Sequence, residues 1–257
     1  MGYLAGYLTD RFVLYVLAGV LGVTNMIIWG IYGDLLAERF KLTKVLRSLF
    51  LGVIYSIMIF SNNPHLPLFI VALCTVALER ATTEIYKPLI RVERQKKYRI
   101  PSNLGIHFPH SLEETVGFAL IGLLLLFFFF IDWHWNFSKL WLAGVIGIAV
   151  AIGGMLKDAP KEGFQPITFF RSPLYATLFG LFLLLLFPDL PAKYYVFAVA
   201  GGERILSECY KKIINGREPG KFKKKLPIKK GWKHNRWTIL PIYSLDLALI
   251  FLLLFVS

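Results

Sequence analysis

Apolar runs separated by short polar segments organise this chain of 257 residues. One such run, Ala119 to Ile131, reads ALIGLLLLFFFFI without a single charge. About twenty apolar residues, rising 1.5 Å each in a helix, cross roughly 30 Å of hydrocarbon. On that measure eight stretches predict spanning helices: Phe12–Tyr32, Leu46–Ser61, Leu66–Tyr86, Glu114–Ile131, Leu140–Leu156, Ser172–Phe187, Ala192–Tyr210 and Leu240–Val256. The second and sixth are short. The alternating ten-residue segments of a barrel are absent from the pattern. The predicted fold class is therefore an all-α polytopic membrane protein of about eight transmembrane helices.

Composition agrees: 56% of residues are hydrophobic and mean hydropathy is +0.58, above what a soluble domain carries. Two cysteines, Cys74 and Cys209, offer neither a disulfide framework nor a metal quartet and read as small packing residues. The opening MGYLAGYLTDR has no basic n-region of a cleavable signal and no Ser or Thr at position six for myristoylation.

The net charge of +13 is unevenly spread. One side of the predicted bundle receives Arg39, Lys41, Lys44, Arg47, the loop KPLIRVERQKKYR, Lys157, Lys161, Arg171 and the loop KKIINGREPGKFKKKLPIKKGWKHNR. The other receives Arg11, Lys139 and Lys193. The excess of Lys and Arg makes the first side cytoplasmic and leaves both termini outside, with Trp133 and Trp135 in the outer aromatic belt. The expected partners of the basic loops are anionic lipid headgroups; nucleic acid fits a membrane setting less well.

A second pattern lies over the first. ERATTEIYK (Glu79–Lys87) returns as ERILSECYK (Glu203–Lys211), 124 residues later. At the same offset Gly30 matches Gly154, Asp34 matches Asp158, Glu38 matches Glu162 and Phe40 matches Phe164. Arg47-Ser48 matches Arg171-Ser172, and PHLP (Pro64–Pro67) matches PDLP (Pro188–Pro191). Matches of Asp, Glu, Arg and Pro at fixed spacing imply a tandem repeat. It divides the chain into a first four-helix repeat over 8–131 and a second over 132–257. An even number of spans makes the repeats parallel, about an axis along the membrane normal. The doubled motifs are then expected to face one another across a pseudo-twofold axis on the inner side.

Each copy supplies acids and bases at headgroup depth. D-x-x-x-E-x-F-x(6)-R-S is expected in the inner loops leading to the second and sixth spans. E-R-x-x-[T/S]-E-x-Y-K closes the third and seventh. On a helix Arg80, Glu84 and Lys87 form one stripe, as do Arg204, Glu208 and Lys211. Glu79 and Glu203 lie roughly 10 Å inside their spans at 1.5 Å per residue, where a charge must face protein or water and find a partner. One account is purely structural, with intrahelical pairs Arg80–Glu84 and Arg204–Glu208 and interfacial tyrosines Tyr86 and Tyr210. The other is a site for a phosphorylated group. Arginine and lysine clamp phosphate, which assigns Arg47, Arg80, Lys87, Arg171, Arg204 and Lys211. Carboxylate oxygens suit Mg²⁺, which assigns Asp34, Glu38, Asp158 and Glu162. Glu79, Glu84, Glu203 and Glu208 are then the candidate catalytic groups.

His107, His110 and Glu113 form a weaker metal candidate, interrupted by Pro109. Glu113, Glu114 and Asp246 read as pairing partners for the arginines, and Asn25 and the glycines of the first span as packing residues. No Walker A loop, G-x-S-x-G or H-E-x-x-H occurs. Three function classes stay open: an enzyme handling a phosphorylated lipid or isoprenoid with a divalent metal, a transporter or flippase for an anionic substrate, and a scaffold without chemistry.

Overall fold

The computed structural model describes residues 2–34, 42–86, 110–130, 138–162, 166–210 and 232–256, with side chains for 9–31, 42–86, 115–125, 138–153, 166, 169–210 and 239–256. These residues form eight helices joined in part by short described turns, with no strand among them. In chain order the helices are α1 (Gly2–Asp34), α2 (Leu42–Asn62), α3 (Leu68–Ile85), α4 (His110–Phe130), α5 (Lys139–Glu162), α6 (Pro166–Leu186), α7 (Ala192–Cys209) and α8 (Trp232–Val256).

Four helices are long and apolar enough to cross a membrane, over Thr9–Ile31, Leu42–Asn62, Phe169–Leu186 and Ile239–Val256. The protein is therefore a helical membrane protein. α4 and α5 are apolar over the shorter stretches Thr115–Leu125 and Lys139–Gly153. α3 and α7 are 18 residues each and carry the charged motifs, which lowers their hydropathy. The outward faces fit a hydrocarbon solvent. On α6, Phe170, Leu174, Leu178, Leu181 and Leu185 are exposed at a spacing that lines one side of a helix. On α8, Ile242, Leu245, Leu249 and Leu252 do the same, while Tyr243, Asp246 and Ile250 form the buried face. Pro173 and Pro241 sit within α6 and α8, as membrane helices tolerate.

The chain forms two compact units. Unit one holds Met1–Glu79, Glu208–Gly216 and Ile228–Ser257; unit two holds Arg80–Ser207 and Arg217–Pro227. In unit one α1 packs on both α2 and α8. Glycines let α1 approach closely: a Cβ on Gly19 would overlap Ser56 of α2, and one on Gly22 would overlap the backbone of Ala72 in α3. The glycine reading of the first span is thus met by contact. Tyr15 ties the same helix to the α2–α3 turn, its hydroxyl lying 3.0 Å from the Asn63 carbonyl and 2.8 Å from that of Leu66. Arg11 Nε donates to the Pro64 carbonyl at 2.6 Å. α3 is apolar and closed to solvent along its first half, from Leu68 to Leu78.

In unit two α5 packs on α6. Gly147 meets Ala176 and Pro173, and Gly180 meets Ala143 and the Tyr195 hydroxyl. Lys139 Nζ donates to the Pro188 carbonyl.

The turns before α3 and α7 are built alike. Asn63 N donates to the Ile59 carbonyl at 2.9 Å, and Phe187 N to that of Leu183 at 2.7 Å. Val71 N donates to the Pro67 carbonyl at 3.1 Å, and Tyr195 N to that of Pro191 at 3.0 Å. Each proline precedes the first helical residue, where its missing N–H costs nothing. All four positions differ by 124 between the two turns.

Candidate functional site

The doubled charged phrases begin inside helices and are described as far as Tyr86 and Tyr210. In unit one Ser48 of α2 donates to Glu79 Oε1 of α3 at 2.7 Å. Glu79 stands six residues before the end of α3, about 9 Å inside at 1.5 Å per residue. Arg80 and Glu84, both half-buried, form an ion pair one turn apart in unit two. The structural account of that pair is met. In unit two Ser207 donates to Glu203 Oε1 at 2.5 Å, one turn back on α7. Both α3 and α7 finish in a wider, π-type turn, at Tyr86 and Tyr210.

Burial follows the same two-copy pattern. Ser48 and Ser172 are each 7% exposed, Glu79 and Glu203 3% and 2%, and Thr83 and Ser207 4% and 2%. Glu208 and Arg171 are buried as well. A buried carboxylate or guanidinium persists only with partners. Arg47, Arg80, Arg171, Arg204, Glu79, Glu84 and Glu208 all take part in further polar interactions.

One expectation about placement is corrected. Arg47-Ser48 and Arg171-Ser172 lie on helices, not in loops, because α2 begins at Leu42 and α6 at Pro166. The apolar count starts too late there, since Lys44, Arg47 and Arg171 are helix formers at a polar helix end. Asp34 closes α1, and Asp158 and Glu162 lie on the last turns of α5; their side chains, like all of Glu38, Lys87, Lys211 and His107, lie outside the described residues. Among the described residues no group of three or more His, Cys, Asp or Glu side chains is arranged to hold a metal ion.

A separate buried polar cluster belongs to unit one. Asp246 of α8 has Thr24 Oγ1 of α1 at 2.5 Å from its Oδ1, and accepts a hydrogen bond from Asn25 Nδ2 at 2.9 Å on Oδ2. It was expected to pair with arginine; it meets a hydroxyl and an amide instead. Beside it Trp29 lies tilted against Tyr243 with ring centroids 4.3 Å apart, and Cys209 packs against that pair. Cys74 is enclosed in α3. The packing reading holds for both cysteines. The adjacent Thr24-Asn25, alone among apolar residues of the first span, was the signal for this cluster in the sequence.

No protein-family model, curated protein or solved structure matches the chain.

Proposed function

We propose that the chain is an eight-span membrane protein built as a parallel repeat of four helices and four, and that its doubled inner-side polar motif handles the phosphorylated headgroup of a lipid or isoprenoid as an enzyme. The repeat draws support from packing. The Gly19–Ser56 contact of unit one and the Ala143–Gly180 contact of unit two differ by 124 at both positions. So do Val23–Gly52 and Gly147–Ala176. Each unit also gathers three helices of one repeat and the fourth of the other.

The observation that carries the site is the matched burial of Ser48 with Ser172 and Glu79 with Glu203, near 2–7% exposure in both copies. Buried ionisable residues such as Glu79 and Glu203 are costly in a membrane and mark function by default. In this reading Arg47 and Arg171 hold phosphate oxygens in the bidentate manner open to guanidinium. Arg80, Arg204, Lys87 and Lys211 add charge at the helix ends. Glu79 and Glu203, aligned by the hydroxyls of Ser48 and Ser207, act as proton acceptors with Glu84 and Glu208. The donor set Asp34, Glu38, Asp158 and Glu162 has the oxygen chemistry that Mg²⁺ takes, and such an ion would neutralise phosphate charge.

Thermal unfolding in detergent tests this, with phosphatidic acid and a short isoprenoid diphosphate as probes, with and without Mg²⁺. A ligand at one hundred times its Kd stabilises by about 2.7 kcal/mol. The reading expects stabilisation by one probe, lost in Arg171→Ala. No stabilisation by either probe contradicts it. A second reading, a transporter for an anionic substrate, is favoured by the polar cluster of Thr24, Asn25 and Asp246 within α1 and α8.

A further inference from the structure

Asp246 is the one buried carboxyl described here that lies outside the doubled motifs, and it is 6% exposed. It stands seven residues into the span Ile239–Val256, about 10 Å from that end at 1.5 Å per residue. Thr24 and Asn25 lie at the same depth, seven and six residues before Ile31. None of this recurs at the offset of 124. Thr24, Asn25 and Trp29 answer to Ile148, Ala149 and Gly153, and Tyr243 and Asp246 to Ala119 and Gly122. A gapped match of Asp246 with Glu113 leaves Thr24 and Asn25 still without counterparts. The cluster is therefore not a by-product of duplication.

Its hydrogens can be counted. Thr24 Oγ1 lies 2.5 Å from Asp246 Oδ1 and 2.5 Å from the Leu21 carbonyl oxygen. Both distances are hydrogen-bond distances between oxygens. A threonine hydroxyl owns one hydrogen, and a carbonyl oxygen brings none. A single hydroxyl hydrogen serves two such contacts only as a shared, three-centre bond; a proton on Asp246 gives each contact its own. In that arrangement the carboxylic acid donates from Oδ1 to Thr24. Thr24 donates back along its own helix to Leu21, a common bond for threonine in a helix. Asn25 Nδ2 donates to Oδ2.

A metal ion does not meet the same count. Oxygens held jointly by an ion at Mg²⁺ or Ca²⁺ distances stand farther apart than 2.5 Å, and the Asn25 amide presents hydrogens to the carboxyl. Nor does a counter-charge. Among the described residues no Lys, Arg or His pairs with Asp246. Among the described residues the titratable groups beside it are Tyr243, on α8 itself, and Cys209 of α7; neither brings a positive charge. An ionised carboxylate without a cation in a span costs several kcal/mol.

We propose that Asp246 is a proton-binding site, occupied at neutral pH while α1 and α8 are packed together. The proton is the ligand, Thr24 and Asn25 are its positioning residues, and release requires α1 and α8 to part enough to admit water. Binding and release of one proton are thereby tied to a movement within unit one.

Infrared difference spectroscopy of the protein in lipid bilayers at pH 7 reads the site directly. Wild type is expected to show the C=O stretch of a protonated carboxyl that shifts in D₂O. Asp246→Asn keeps an N–H for Thr24 and an oxygen for Asn25, so it is expected to fold with an unchanged unfolding midpoint and to lose the band. Thr24→Val removes the acceptor and is expected to move the band to higher frequency. Absence of the band in wild type at pH 7, its persistence in Asp246→Asn, or an unmoved band in Thr24→Val would each overturn the proposal.

Discussion

Replacing Gly22 by alanine tests a close approach of α1 to α3 in unit one. A Cβ at Gly22 would stand 2.4 Å from the carbonyl oxygen of Ala72, where ordinary contact begins at 3.4 Å. The shortfall is about 1 Å, and the obstacle is backbone, which has no rotamer to change. α1 and α3 must therefore separate, loosening the packed faces on either side of the crossing. Overpacking of this kind costs about 1–3 kcal/mol, while alanine regains up to about 1 kcal/mol of helix propensity. Because the obstacle is backbone, the upper end of that range applies, and the net loss of about 2–3 kcal/mol lowers Tm by about 4–12 °C for a chain of this size. Gly30→Ala is the control, because a Cβ there meets nothing within 4 Å; its Tm should hold or rise slightly. The assay is thermal unfolding of purified protein in detergent, with both variants read side by side. Equal Tm values for wild type and Gly22→Ala would refute the reasoning, since α1 and α3 would then not approach at that residue.

Three further outcomes are expected. Gly180→Ser alone should lower Tm, because its Cβ would stand 2.5 Å from that of Ala143; adding Ala143→Gly should restore part of the loss, reproducing the Gly19–Ser56 arrangement, and purely additive effects would count against the equivalence of the two contacts. Ser48→Ala should cost about 1–3 kcal/mol, as leaving a buried hydrogen-bond partner unsatisfied does, whereas Ser61→Ala, which removes an exposed hydroxyl bonded to its own helix, should stay within about 0.5 kcal/mol. Leu178→Asp, on the exposed face at the middle of the span Phe169–Leu186, should raise the apparent insertion free energy by about 3–4 kcal/mol in a glycosylation-mapping assay; unimpaired insertion would contradict a lipid-facing α6.

The helices were legible because apolar runs are long and their ends are marked, as at the PHLP and PDLP turns. Their polar ends were less so. α1 runs ten residues before the expected Phe12, and α8 begins at Trp232, eight before Leu240, since a helix continues past the apolar stretch wherever its polar residues are helix formers. That continuation carries Arg171 onto a helix and leaves Arg47 a full turn inside one. The buried carboxylates Glu79 and Glu203 could be picked out by their repetition, and Ser207 shares a helix stripe with Glu203, but the partner of Glu79 could not be read: Ser48 reaches it from another helix. A single sequence gives spacing along a helix and not the register between two. The same limit hid the partner of Asp246, which lies 222 residues from Thr24.

The central claim is that the doubled buried motif recognises a phosphorylated lipid headgroup. Native mass spectrometry of gently purified protein, with and without Mg²⁺, tests it most directly. The account predicts a retained phosphorylated lipid, lost in Arg47→Ala or Arg171→Ala while Gly30→Ala keeps it. A bare protein mass unchanged by Mg²⁺, or a lipid retained equally by both arginine variants, would contradict it.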